Sequence, residues 1–170
     1  LYRPDRNTIE FKALDQAEVA GHTSATRQGG VGGQVFVTAK DVVLKKGALI
    51  DVSGPAGGGE VLLGGGWQGH DTRVTNARTT TAETGSTIQA NATERGNGGT
   101  VVVWADDVTR VGSRIEARGG VLGGNGGAVV NYVSHSLSPT MEPVANLCAS
   151  GVLERFPMLR FATIEAGIGW

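Results

Sequence analysis

Residues 96–106 read Gly-Asn-Gly-Gly-Thr-Val-Val-Val-Trp-Ala-Asp, and they decide the fold. A glycine corner runs into a stretch where Val101, Val103 and Ala105 alternate with Val102, Trp104 and Asp106. Period-two alternation with β-branched enrichment signals a short strand with one buried face. The same corner recurs as Gly32-Gly33-Gln34-Val35, Gly58-Gly59-Glu60-Val61 and Gly126-Gly127-Ala128-Val129. From the first copy to the last the intervals are 26, 40 and 28 residues. The long interval predicts an insertion around 64–82. Thr8-Ile9-Glu10-Phe11 fits one interval before Gln34, with Arg6-Asn7 in place of the glycine pair.

A second block interleaves with the first: Gly47-Ala48-Leu49-Ile50, Gly85-Ser86-Thr87-Ile88 and Gly112-Ser113-Arg114-Ile115. Strands of four to six residues, glycine corners and a period in the twenties predict an all-β chain, each repeat one coil of a parallel β-helix. The glycines are read as supplying the positive φ that sharp corners need. A single coil cannot bury its inner face. Stacked coils can, because equivalent residues then lie about 4.8 Å apart.

The expected interior columns follow. One holds Ile9, Val35, Val61, Val101 and Val129, a second Phe11, Val37, Leu63 and Val103, and a third, on another face, Ile50, Ile88 and Ile115. Asn97 and Asn125 hold the same place in two identical corners and form a candidate corner ladder. The outward column Glu10, Phe36, Leu62, Val102 and Val130 is unusually apolar for a surface. It reads either as a self-covering ladder, the preferred reading, or as a face that packs on the insertion or another chain.

Composition agrees. The 170 residues carry 28 Gly and only 5% aromatics, with 15 basic and 16 acidic residues giving a net charge of −1. No basic stripe suits a nucleic acid, and no run of 18 apolar residues suits a transmembrane helix. Of the 28 Gly, 25 lie in residues 1–130, whereas both Met, the lone Cys148 and three of five Pro lie in 131–170. Two segments are therefore expected: a repeat segment over 1–130 and a tail over 131–170. The tail is expected to be irregular or partly helical, and is read as frame-shifted, disordered or capping. A start at Leu1, with no signal peptide, reads as a fragment.

Residues 47–54 and 57–65, 96–106 and 115–120 together resemble the passenger repeats of filamentous-haemagglutinin-like exoproteins, the likeness in style extending over 8–130. That resemblance implies a right-handed parallel β-helix, a slice of a longer shaft. It also implies a secreted or bacterial cell-surface location and export through an outer-membrane secretion partner. That partner would engage an amino-terminal domain of the parent, because this chain lacks the Asn-Pro-Asn motifs of such a domain. A host receptor or glycan would be the distal partner.

Catalysis finds little support in the residues. Some parallel β-helices cleave acidic polysaccharides with outward carboxylates, which is the alternative function. Asp106-Asp107 is the adjacent acidic pair, and Asp41 and Asp107 are read as equivalent on different coils. Neighbours on a strand point to opposite faces, so the pair is a poor acid and base. His22, His70 and His135 show no metal-ligand spacing. Residues 65–71 approach a calcium repeat but occur once. Trp67 and Trp104 are read as structural rather than as sugar platforms. No catalytic residue, cofactor, metal or nucleic-acid partner is expected.

Overall fold

The computed structural model describes the backbone of residues 2–3 and 7–131 and the side chains of 7–127. The expected tail, apart from Asn131, lies outside the described residues. After β1 (Tyr2–Arg3), the strands come in threes. Coil one holds β2 (Thr8–Lys12), β3 (Gln16–Val19) and β4 (His22–Ser24). Coil two holds β5 (Gln34–Thr38), β6 (Asp41–Leu44) and β7 (Leu49–Asp51). Coil three holds β8 (Glu60–Leu63), β9 (Thr79–Ala82) and β10 (Thr87–Gln89). Coil four holds β11 (Thr100–Val103), β12 (Val108–Val111) and β13 (Arg114–Glu116), after which β14 (Ala128–Asn131) opens the next turn.

Equivalent strands of successive coils pair in parallel and build three faces. Sheet A runs β1-β2-β5-β8-β11-β14, sheet B β12-β9-β6-β3 and sheet C β13-β10-β7-β4. The chain is an all-β parallel β-helix. Among the described strands only β1 is antiparallel, laid along β2.

Register places Ile9, Val35, Val61, Val101 and Val129 in one continuous column of sheet A. Val35, Val61 and Val101 are fully buried, and Ile9 is half-buried on the end coil. Ile50, Ile88 and Ile115 align on sheet C. Thr23 occupies that column in coil one, buried where the other coils carry isoleucine. Sheet B supplies two interior columns that no repeated motif announces: Ala17-Val42-Thr80-Thr109 and Val19-Leu44-Ala82-Val111. Each fully buried Val, Leu or Ile contributes roughly 1.5–3 kcal/mol.

The glycines divide into two classes. Gly47 (φ 81) and Gly85 (φ 88), between sheets B and C, do take the left-handed conformation. The pairs that announce sheet A do not, because their requirement is proximity. A Cβ on Gly59 would lie 1.9 Å from the Gly33 oxygen, on Gly99 2.0 Å from the Gly59 oxygen, and on Gly127 1.9 Å from the Gly99 oxygen. Each corner is closed by the N–H of that same glycine: Gly33 to Ala25 O, Gly59 to Val52 O, Gly99 to Ala90 O and Gly127 to Ala117 O, at 2.7–2.8 Å. The repeated Gly-Gly thus marks where coils touch backbone to backbone.

Candidate functional site

Four coils of nearly uniform outline carry one irregular feature. Fifteen residues (64–78) separate β8 from β9, whereas two (39–40) separate β5 from β6 and four (104–107) separate β11 from β12. Thr79–Ala82, expected within the insertion, is a regular strand of sheet B. The insertion is therefore a closed loop, its neck pinned by Ala77 N donating to Gly64 O at 2.6 Å.

This loop lies over the apolar outward column of sheet A. Phe36, Leu62 and Val102 are buried together with half-buried Val74 and Trp104 packed against them. Phe36, Leu62 and Val102 of that column are therefore covered by the insertion together with Trp104, not by their own stacking as the preferred reading has it, and the side chain of Val130 lies outside the described residues. Phe36, Leu62 and Val102 follow one another in register, and an apolar strip buried this deeply needs a second layer.

Polar anchors fix the cover. Arg73 donates through Nη1 and Nη2 to both oxygens of Glu60 at 2.7 and 2.8 Å, and through Nε and Nη2 to Asp71. Its guanidinium carbon sits 5.3 Å from the centroid of the Phe36 ring. Asp71 also accepts the Arg73 backbone N–H at 3.0 Å. The Arg73 side chain holds the Asp71 carboxyl below its ordinary range against the opposing push of burial, and its two carboxylates raise the guanidinium in turn. From Glu60 the network continues to Gln34, which donates at 3.0 Å, and to Thr8, whose hydroxyl donates to Gln34 at 3.1 Å. One outward polar column thereby links three coils to the loop.

At the other end the loop rests on Trp104. A Cβ on Gly65 would lie 2.6 Å from the indole Cδ1, and on Gly69 3.0 Å from Cζ2. Both glycines also have positive φ, 157° and 68°. Only bare backbone fits between the loop and the ring. Trp104 Nε1 and Asn76 Nδ2 both donate to Asp106 Oδ1 at 3.0 Å, and Asn76 Nδ2 also reaches Gly69 O. Trp104 is thus a floor for the loop. Trp67, on the short 3-10 turn Trp67–Gly69, is 43% exposed at its tip.

The sequence-derived carboxylates are placed differently from one another. Asp41 aligns with Thr79 and hence with Val108, not with Asp107. Asp107 instead stacks on Arg78, which stacks on Lys40. The four-residue corner of coil four carries extra residues there, and this shifts the register. Asp41 accepts from Thr79 Oγ1 and Arg78 Nη2, which hold its carboxyl low against desolvation. Among the described residues, no group of three or more His, Cys, Asp or Glu is placed to hold a metal ion. Nor, among them, is any helix long and apolar enough to cross a membrane.

The corner residues Asn97 and Asn125 are brought together. Asn97 Oδ1 accepts the backbone N–H of Asn125 at 2.9 Å, so this link runs from side chain to main chain. A comparable polar ladder, invisible to motif reading, joins Ser53, Asn91, Glu116 and Arg118 along the same edge.

With this architecture in view, the chain can be set beside a solved structure to which it is similar. That structure is the HMW1 secretion domain from Haemophilus influenzae. The two align with a TM-score of 0.64 and 32% identity over 75% of this chain and 36% of that one. The chain therefore spans about a third of the length of that structure. No protein-family model matches the chain, and no curated protein does.

Proposed function

We propose that the chain is a structural and interaction segment of a secreted, haemagglutinin-like bacterial surface adhesin, exported by the two-partner route and without catalysis of its own. The observation that carries this reading is the likeness to the HMW1 secretion domain, in sequence as well as in fold. The resemblance of the repeats implies an internal piece of a shaft. A likeness to a secretion domain favours coils that accompany export through an outer-membrane partner. The physical role is then reach and rigidity: each coil adds about 4.8 Å of stiff length, and the 64–78 loop fastens neighbouring coils to one another.

Support for a non-catalytic reading comes from how the acidic pair is used. Asp106 Oδ1 accepts from both Trp104 and Asn76 and so serves the loop. Asp107 follows it in the corner and stacks on Arg78. Neither arrangement presents two facing carboxylates to one bond.

Antibodies against the chain, applied to intact source cells and to culture supernatant, test the proposal. Surface and supernatant labelling is expected, and it should disappear when the outer-membrane transporter is deleted. Antigen found only in the soluble contents of lysed cells would overturn the assignment.

A further inference from the structure

The two Gly-Asn-Gly-Gly corners hold a chemistry that the shaft role does not use. In an Asn-Gly pair the glycine nitrogen meets little steric hindrance on its way to the asparagine side-chain carbon, because glycine has no Cβ. At Asn97-Gly98 both reacting groups are held by one residue of the next corner. Gly98 N–H donates to Asn125 O at 2.9 Å, and Asn97 Oδ1 accepts Asn125 N–H at 2.9 Å. From the coil below, Gly58 N–H donates to Asn97 O at 3.0 Å. The nucleophile is engaged in a hydrogen bond and the electrophile is turned toward the next coil. Asn97 itself is exposed, so water has access to it.

We propose that Asn97-Gly98 is a latent self-modification site, an asparagine that converts to aspartate and isoaspartate through a cyclic imide when the 117–127 corner lifts off the 90–99 corner. Gly98 N loses its proton and attacks Asn97 Cγ. The new N–C bond closes a five-membered imide as the Cγ–Nδ2 bond breaks, and the side-chain nitrogen leaves as ammonia with the displaced proton. Solvent water then adds to either imide carbonyl and the ring C–N bond opens, leaving aspartate or isoaspartate in place of the asparagine. The net change is one water consumed and one ammonia released. The isoaspartate product inserts an extra methylene into the main chain at the corner, so the corner that lifted cannot redock in register. A transient opening of the coil stack becomes a covalent record.

The docking bonds that gate the reaction include Gly96 N–H to Gly123 O at 2.8 Å, Gly120 N–H to Gly96 O at 3.0 Å, Leu122 N–H to Glu94 O at 2.7 Å and Ala92 N–H to Arg118 O at 2.8 Å. Gly124 lies on the same seam, where a Cβ would stand 1.8 Å from the Gly96 oxygen. Gly124→Ala therefore lifts the corner without touching Asn97.

The test is made on the full chain held at mildly alkaline pH, digested with trypsin and analysed by mass spectrometry of the 96–110 peptide. A synthetic peptide of the same sequence supplies the unprotected rate. Asn97 in the native chain is expected to react at least about tenfold more slowly, the protection given by an opening free energy of about 1.4 kcal/mol. In sub-denaturing urea its rate should climb together with hydrogen exchange at the Gly98 and Asn125 amides. Gly124→Ala should approach the peptide rate while the β circular dichroism spectrum persists. Should that variant fail to fold, the wild-type urea series decides. A native rate equal to that of the peptide would overturn the proposal. So would a rate indifferent to urea where those two amides have begun to exchange.

Discussion

Arg73 forks onto Glu60, with both terminal guanidinium nitrogens within 2.8 Å of the two carboxylate oxygens, although the two residues are thirteen positions apart and much of the insertion loop separates them. One side chain thereby joins the loop to the polar column of sheet A and covers Phe36 in the apolar column beside it. Loop 64–78 is held at this fork and at Trp104, and these two points make it part of the solenoid.

Removing the fork should release the loop and leave the coils. The Arg73 side chain is 47% exposed, so solvent screens the pair and the global cost of Arg73→Ala is about 1 kcal/mol or less. Hydrogen exchange should accelerate across 64–78 while β5, β8 and β11 keep their protection. Arg73→Lys restores charge but not the two-pronged geometry and should recover only part of the protection. Uniform acceleration over all strands would contradict the assignment of Arg73 to the loop alone.

Acid should act at the same point. The Arg73 side chain lowers the Asp71 carboxyl below its ordinary value of 3.8, outweighing the opposite effect of burial. A carboxyl lowered in the folded state contributes stability that is fully present above its unfolded value and lost as pH falls through the folded one. Protection factors in 64–78 should thus hold above about pH 4 and decline below it. Asp71→Asn should flatten that dependence. An Asp71→Asn loop with the same acid profile as the wild type would show that another group governs it.

The isoleucine column gives a graded test of stacking. Ile88 is fully buried between Ile50 and Ile115, whereas Ile115 on the outermost described coil is half-buried. Ile88→Ala should cost about 2–5 kcal/mol and Ile115→Ala clearly less. Urea denaturation with an unchanged slope would measure both, and equal losses would argue against a common axis.

Thr109 offers a gain. Among the described residues its hydroxyl is buried without a hydrogen-bond partner, in an interior column where Val42 occupies the same place two coils below. Thr80 between them satisfies its own hydroxyl on Trp104 O at 2.7 Å. Thr109→Val keeps the shape and removes an unpaired polar atom, so it should raise stability by about 1 kcal/mol. A lower denaturation midpoint would mean that the hydroxyl has a role the packing does not display.

Sheets A and C were legible because each repeats a glycine block beside a β-branched column, and the register of Val35, Val61 and Val101 follows from the spacing. Sheet B was not, since Thr79–Ala82 and Val108–Val111 share no motif with Asp41–Leu44 and are recognised only once they stack. Thr23 escaped notice because a threonine buried in an isoleucine column is polar by name and aliphatic by shape. The Asp41–Asp107 equivalence failed on a corner length, a quantity that no residue type encodes. The cover over Phe36, Leu62 and Val102 was legible only as an excess of exposed apolar residues. Its partners, Arg73, Val74 and Trp104, come from two different coils.

The sharpest test of the stacked architecture is a single methyl group. Gly59 lies midway in the column of second corner glycines, with its missing Cβ aimed at the Gly33 oxygen 1.9 Å away and its own oxygen 2.0 Å from where a Cβ on Gly99 would fall. Its φ is not in the left-handed region, so alanine meets no intrinsic backbone objection there. Any penalty must come from forcing coils two and three apart, against carbonyls that cannot rotate out of the way. Gly59→Ala should cost about 3 kcal/mol or more. Gly29, also outside the left-handed region, has nothing within 4 Å of its Cβ position. Gly29→Ala should be neutral or up to about 1 kcal/mol stabilising, through the entropy of the unfolded chain. Measured side by side, the two substitutions separate coil contact from glycine flexibility. If they prove equally mild, the corners are not in backbone contact and the explanation of the Gly-Gly repeat fails.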